Sequence, residues 1–465
     1  MSVTKSAAEL KLVLPGLDKM ILDKTMEWGR GLYKAILEEV DGILAGNKGQ
    51  LELEHRREVW YQTCLGAVKI RRRQYRGGEG QGKCFLDECM GMSRYSHVTA
   101  SVRALALEMA STMPYRRSAQ VLRKTTAIDL AHQTIWRLVA KAADPHLDQA
   151  RREMERFLKT GAIGEGEGRK VARLMVEADG VMLSLQRERE RKTEVKLGIA
   201  YEGWEKVGKD RYRTVNKTCF ATVGSGDSFW AGMTLKLHGK YDLAAVKDTI
   251  VGGDGAGWVK EGADYVGGRF QLDRYHLNRE LTTALGRDKE TKGRVWHACE
   301  EGEVDLGLQI LAEAMSKVKG DQAMRLARAY HYLRENRSGV ADYRLHVPNG
   351  YQGLRRTGAM EGNVDKLVAR RMKNQGMSWS VKGIRRLLCV RLLLLEGNLT
   401  DGIRKENISD VKLPITRKRI RRIVNNLSFH EPDDWLKAGL PVLRGPHADR
   451  PWVSVLKYLT EVQLI

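Results

Sequence analysis

The feature that most constrains this chain is a change of hydrophobic period. From Ser96 to about Lys159 the apolar residues recur at helical spacing, whereas from Val171 three strand-like runs follow one another: VARLMVEADGVMLSL, EVKLGIAYEGWE and KTCFATVG. Runs of this kind, joined by polar or glycine turns, predict an antiparallel meander. A helical stretch from Ser228 to about Val246, a fourth strand ending at Asp254, a short helix near Trp258 and a fifth strand, GRFQLDRYH, complete the segment. The run LMVEA is apolar enough to be buried on both faces, which puts the first strand in the middle of the sheet.

Three strands, helix, strand, helix, strand is the order of an RNase H-like fold. The expected class is therefore α/β, an RNase H-like mixed sheet core with a helical insertion, plus a mainly helical N-terminal DNA-binding region. At 465 residues the chain exceeds one ordinary core. The expected divisions are an N-terminal helix and basic β-hairpin region (1–95), a helical, helix-turn-helix-like region (96–160), the first part of the core (170–276), a helical insertion (277–345), the second part of the core (346–395) and a basic tail (396–465). The glycine-rich GAIGEGEGRK at 161–170 reads as a linker. Nearer the start, Met20, Ile21, Met26, Leu32, Ile36, Val40 and Leu44 predict an amphipathic helix over about 18–47. TCLGAVKIRRRQYR, the turn GGEGQG and KCFLDECMGM predict a β-hairpin.

Charge narrows the partner. With 80 basic against 58 acidic residues the formal net charge is +22, a field that attracts polyanions. Between Lys366 and Arg422 stand 16 Lys and Arg against four acids, so over half of the surplus lies in one-eighth of the chain. Double-stranded DNA is the expected partner, with no membrane and no small-molecule substrate. The six cysteines are scattered without a CxxC pair and read as reduced thiols. Met1 opens a polar stretch unlike a signal peptide, and the longest apolar run, LLCVRLLLL, is too short to span a bilayer and contains Arg391. The expected location is the cytoplasm, on the nucleoid.

Three acids carry the candidate chemistry: Asp179 in VEADGV, Asp254 in GGDGAGW and Glu361 in GAMEGNVDKLVARRMK. Two sit where an apolar run meets glycine and the third opens a basic helix. Carboxylates held on strand ends and a helix can converge on hard divalent ions. Each has a plainer reading: Asp-Gly is a common turn, and an acid in the first turn of a helix is favoured by the macrodipole. Asp273 and His276 form a D-x-x-H pair that reads first as a structural Asp–His contact and second as an accessory to the site. Glu177 and Glu194 read as sheet-face or salt-bridge residues; Glu177 shares Asp179's face by the two-residue period.

Candidate DNA contacts fall in three places. Tyr115, Ala119, Val121 and Leu122 make one apolar face, a polar turn follows, and Gln133, Thr134 and Arg137 open a second helix, a layout shared by a helix-turn-helix and a plain helical hairpin. Lys366, Arg370, Arg371 and Lys373 form a basic face on the Glu361 helix, with Trp379 beyond it suited either to the core or to stacking on an unpaired base. Arg417, Lys418, Arg419, Arg421 and Arg422 make a basic cluster in the tail.

The strings VEADGV, KLGIAYEGW, VGGDGAGWVKEG, FQLDRYHLNRELTTALG and GAMEGNVDKLVARRMKNQGMSWS, in this order, closely resemble the ISLre-two family of bacterial insertion-sequence transposases, formerly an uncharacterised protein family. That family is similar to the Mutator-type DDE transposases, whose RNase H-like core carries a helical insertion before the final Glu and a C/D-x-x-H signature. The resemblance implies that Asp179, Asp254 and Glu361 are the catalytic, metal-holding triad and that Asp273 and His276 match the signature. It also implies two Mg²⁺ ions, with Mn²⁺ able to substitute, terminal inverted repeats and target DNA as partners, and a dimer that pairs two ends. Rival readings are a catalytically inactive or domesticated DNA-binding protein and a structure-selective nuclease of the same fold.

Overall fold

The computed structural model describes residues 17–47, 49–76, 82–92, 97–347, 354–374, 376–397 and 399. They divide into two compact units, the first built from residues up to Arg103 with Gln120–Leu130, the second from Ala104–Ala119 and from Ala131 onward. No described helix is long and apolar enough to cross a membrane.

The first unit opens with the expected amphipathic helix α1 (Leu17–Leu44). A long antiparallel hairpin follows, β1 (Glu52–Thr63) and β2 (Gly66–Arg76), with a two-residue strand β3 (Gly82–Lys83) and a short helix α2 (Phe85–Cys89). This corrects the sequence reading, which turned the hairpin through GGEGQG instead of Cys64–Leu65. The partner strand LELEHRREVWYQT was hidden because the first seven residues from Glu52 are exposed and, Leu53 apart, polar or charged, so no apolar alternation marks them. Helix α1 covers the free edge of β2: Glu38 accepts from the Arg71 amide at 2.9 Å, and Asp41 from the Arg73 amide at 3.2 Å and its guanidinium at 2.7 Å. Acid acceptors on an otherwise open strand satisfy donors that could pair with another chain.

Helices α3 (Ala100–Thr112), α4 (Tyr115–Thr125) and α5 (His132–Thr160) occupy the region read as helical; the division between the units falls within α3 and α4, and α5 belongs to the second unit.

The second unit holds a six-stranded mixed sheet. Its strands are β4 (Arg173–Leu185), β5 (Lys192–Tyr201), β8 (Thr218–Val223), β9 (Asp248–Gly253), β10 (Arg269–Leu272) and β11 (Ser378–Trp379), while β6 (Trp204–Lys206) and β7 (Tyr212–Thr214) form a separate hairpin. The order is β10-β9-β4-β5-β8, with β11 beside the far end of β4. Strands β5 and β8 continue antiparallel from β4, whereas β9 and β10 run parallel to it. The central position expected of the first strand is thus observed.

Alternation along the strands builds two cores. Met175, Val181, Leu183, Val195, Leu197 and Ile199 face one side, against Val368, Met372, Ile384 and Leu387. Leu174, Val176, Ala178 and Val251 face the other, against Phe229, Trp230 and Met233 of helix α6 (Gly226–His238). Short helices α7 (Gly257–Lys260) and α8 (Gly262–Val266) close that side. Each fully buried large apolar side chain contributes about 1.5–3 kcal/mol. After β10 come helices α9 (Arg274–Leu285), α10 (Lys289–Glu300), α11 (Val304–Ser316), α12 (Asp321–Glu335) and α13 (Arg337–Val340), packed around Leu281, Val295, Leu311 and Leu333. The chain then returns to the sheet through α14 (Met360–Val364), a π-helical turn at Asp365–Ala369, α15 (Arg370–Met372), β11 and α16 (Val381–Leu395).

Two local expectations change. Asp179 does not end a strand: β4 runs on to Leu185, with Asp179 paired to Leu197 and Gly180 to Lys196. The pairing continues because Gly180 leaves room for the Glu194 carboxylate, whose Oε1 stands 2.0 Å from where a Cβ would be. Asp273 and His276 do not end the fifth strand either. That strand stops at Leu272, and Asp273 caps α9 by accepting from the Tyr275 amide at 2.8 Å.

Candidate functional site

Register brings the acids together. In the parallel ladder Ala178 lies opposite Gly253, and Leu272 lies opposite Gly253 on its other side. The next residue in each case is an aspartate, so Asp179 on β4 stands level with Asp254 and Asp273, the residues that follow the ends of β9 and β10, and adjacent strands are spaced about 4.8 Å apart. The Asp273 amide donates to the Gly253 carbonyl at 2.8 Å, closing that row. The glycines before Asp254 serve close approach: a Cβ on Gly253 would lie 2.7 Å from the Ala178 carbonyl oxygen and 2.4 Å from Val259. Asp254 folds its own turn, its Oδ1 accepting from the Ala256 amide at 2.9 Å. Tyr332, from the helical insertion, donates to the Asp254 carbonyl at 2.7 Å.

Electrostatics tie Glu361 to this row. The Asp179 carboxyl is pushed up to about 6, first by burial and then by the negative charges of Asp254 and Glu361, while the Gly180 amide at 2.7 Å and His276 pull it down. Asp254 and Glu361, 75 and 182 residues further along the chain, therefore both act on Asp179. Burial depresses the His276 imidazole, but the Asp273 carboxylate, 3.3 Å from its Nδ1, and Asp179 outweigh that and raise it. The D-x-x-H pair thus makes the structural contact its spacing first suggests, with its charge turned toward Asp179.

Glu177 has a larger part than a sheet-face residue. It is 2% exposed, and its carboxylate accepts from the Gly358 amide at 3.1 Å on both oxygens and from the Met360 amide at 2.9 Å. Tyr201 also donates to it through a short hydrogen bond. These bonds tie the start of the Glu361 helix to the strand that carries Asp179. The clue in the sequence was a glutamate inside LMVEA, because a buried acid must find donors; which donors lay 181 residues away. Glu194 behaves as expected, ion-paired with Lys196.

Among the described residues, no three His, Cys, Asp or Glu side chains are gathered closely enough to hold a metal ion. Glu361 is exposed, at the first turn of α14. Asp179, Asp254 and Glu361 offer the hard oxygen donors that Mg²⁺ takes, and the crowding of negative charge on Asp179 is what a cation relieves. The donor set fits by its chemistry, and the side chains do not form a ready-made cage.

The expected DNA contacts fare differently from one another. Gln133 and Arg137 are exposed and Thr134 half-buried, at the start of α5. Lys366, Arg370 and Lys373 are exposed, Arg370 pairing with Asp365 at 2.6 Å. Arg371 does not share their exposed face: on the turn that follows the π-helical segment, it is 2% exposed and donates through Nε to the Ala110 carbonyl at 2.9 Å. Trp379 is half-buried against the sheet core, its indole N–H donating to the Met372 carbonyl at 2.9 Å. Arg417, Lys418, Arg419, Arg421 and Arg422 lie outside the described residues.

Fold and site together define a mixed α/β protein with acids aligned at the ends of adjacent parallel strands. Residues 8–408 match the uncharacterised protein family UPF0236, and the chain belongs to that family. It is similar to UPF0236 proteins of Caldanaerobacter subterraneus subsp. tengcongensis. One, whose name joins four designations, is 24% identical over 417 residues, covering 88% of this chain and 84% of its own length. Another, whose name joins eleven designations, is 24% identical over 418 residues with the same coverage of both.

Proposed function

We propose that the protein is a DDE transposase of a bacterial insertion sequence, cutting DNA at the element's terminal inverted repeats and joining the freed 3′ end to target DNA. The observation that carries this reading is the register that sets Asp179 beside Asp254, with the start of the Glu361 helix bonded to the same strand through Glu177; the raised Asp179 carboxyl agrees with it. Two acids on neighbouring strands and one on a helix held to the same strand is an economical way to prepare a site for divalent cations. The strand order, three antiparallel strands followed by two parallel to the first, supports an RNase H-like core. The helical insertion between β10 and Glu361 agrees with the Mutator-like pattern. A relative that carries eleven designations in one genome is what a multiplied element leaves behind.

In this reading Asp179, Asp254 and Glu361 would hold two Mg²⁺ ions, which would supply activation of the attacking oxygen and stabilisation of the leaving one. His276 offsets the charge on Asp179, and Asp273 fixes the imidazole through Nδ1. Lys366, Arg370 and Lys373 lie along the phosphate backbone, while Gln133, Thr134 and Arg137 meet DNA from the start of α5. The enzyme works as a dimer because two ends must be paired, and its charge keeps it on the nucleoid.

The test is an in vitro cleavage and joining assay with the full chain on its element's own ends. Wild type should cut and join with Mg²⁺ or Mn²⁺ and stop with chelator. Asp179→Ala, Asp254→Ala and Glu361→Ala should each abolish cleavage and leave end binding largely intact. Normal cleavage by Glu361→Ala would overturn its role. One observation favours a DNA-binding protein without catalysis: the acids are not gathered into a cage. That reading predicts end binding with no metal-dependent nicking by the wild type.

A further inference from the structure

Arg371 is a buried cation without a counter-ion. Its Nε is satisfied by the Ala110 carbonyl and its Nη1 lies 3.5 Å from the Met377 sulfur, while Nη2 is buried with no hydrogen-bond partner. The guanidinium lies 5.6 Å from the Tyr115 ring centre and 5.2 Å from that of Trp379. Among the described residues no carboxylate comes within ion-pairing distance of it, and burial pulls it down to about 10. An unpaired buried charge costs several kcal/mol, and an orphaned donor in a native core calls for a partner.

A cavity of about 360 Å³ adjoins this residue. Arg117, Arg370 and Arg371 line it with Thr112, Met113 and Met377, so three arginines and a threonine border it and no acid does. Arg370 has a carboxylate, Asp365, but that pair is exposed and worth little to hold. The volume falls in the range of small-ligand sites. Guanidinium forks match the oxygens of phosphate in pairs.

We infer that this cavity is a phosphate-binding site, in which Arg371, Arg117 and Arg370 hold the phosphoryl oxygens of a phosphomonoester or phosphodiester. The anion supplies what the buried guanidinium lacks. Arg371 lies ten residues beyond Glu361 along one helical run, about 15 Å at 1.5 Å per residue. That is the span of roughly four stacked nucleotides of a DNA strand. The phosphate chemistry stands by itself; its use on a bound strand rests on the transposase reading.

The experiment is calorimetric titration of the full-length protein without divalent metal, at ionic strength held constant with chloride. The probes are inorganic phosphate, a short 5′-phosphorylated oligonucleotide and the same oligonucleotide lacking its terminal phosphate. Inorganic phosphate should bind the wild type, and Arg117→Gln, at an exposed position where folding is not at stake, should weaken it at least tenfold. Arg371→Met should abolish it; should that variant not fold, Arg117→Gln and Arg370→Gln together decide. Stronger binding of the 5′-phosphorylated oligonucleotide identifies a monoester site, and equal binding of both identifies a diester site. The inference is overturned by phosphate binding no better than chloride, or by binding that Arg117→Gln and Arg370→Gln leave unchanged. Asp179→Asn should bind phosphate like the wild type. Absence of metal-dependent cleavage by the wild type with phosphate binding retained would count against the transposase reading alone.

Discussion

Asp179 shows how a single side chain carries the tension of a site prepared for cations. Its folded carboxyl stands at about 6 against an ordinary value of 3.8, so the fold favours its protonated form. The stability this lends is fully present below about pH 4 and is lost as pH rises through about 6. A shift of about two units corresponds at most to roughly 3 kcal/mol, and partial exposure reduces it to roughly 1–2 kcal/mol. Asp179→Asn keeps the oxygen that accepts from Gly180 and removes the charge. It should melt above the wild type at pH 8, match it near pH 4, and lose its advantage when Mg²⁺ is added. Thermal melts across that range check this, and a lower melting point at pH 8 would refute it. At this scale Asp179, Asp254 and Glu361 were legible as acids beside glycine or at a helix start. Arg371 was not, because one basic residue in a run of four carries no mark of facing inward.

At the scale of elements, the helix that carries Glu361 owes its position to Glu177 on β4. Removing that carboxylate orphans the amides of Gly358 and Met360 and the hydroxyl of Tyr201. Glu177→Ala should cost about 3 kcal/mol by denaturant melts, since each orphaned buried donor costs about 1–3 kcal/mol. Glu177→Gln should cost less and keep the fold. If Glu361 serves the proposed chemistry, Glu177→Gln should lower kcat with little change in KM, a split that reports lost positioning. Unchanged stability in Glu177→Ala would deny the tether. The strands were legible where apolar residues alternate, as in β4, β5 and β8. They were illegible in β1, where charge covers the alternation, and at Asp179–Gly180, where a turn signal lies within a continuing strand.

Over the whole molecule, the surplus of positive charge is the property that acts at longest range. Neutralising Arg417, Lys418, Arg419, Arg421 and Arg422 should weaken duplex binding equally for all sequences. It should also reduce the slope of log K against log salt by up to about 4–5, at roughly 0.9 for each phosphate no longer neutralised. Binding measured at several salt concentrations checks this, and altered sequence preference at constant slope would mean that the cluster reads bases. The sequence alone determined the order of the long strands of the sheet, the central place of the first of them, the charge and the choice of Asp179 and Asp254, because periodicity and composition are local and additive. Only the tertiary structure decided that β9 and β10 lie in a register that sets Asp179, Asp254 and Asp273 level. It alone decided that Glu177 holds a helix 181 residues away and that Arg371 is buried without a counter-ion. Those outcomes depend on pairing and packing between distant segments, which a pattern read along one chain does not contain.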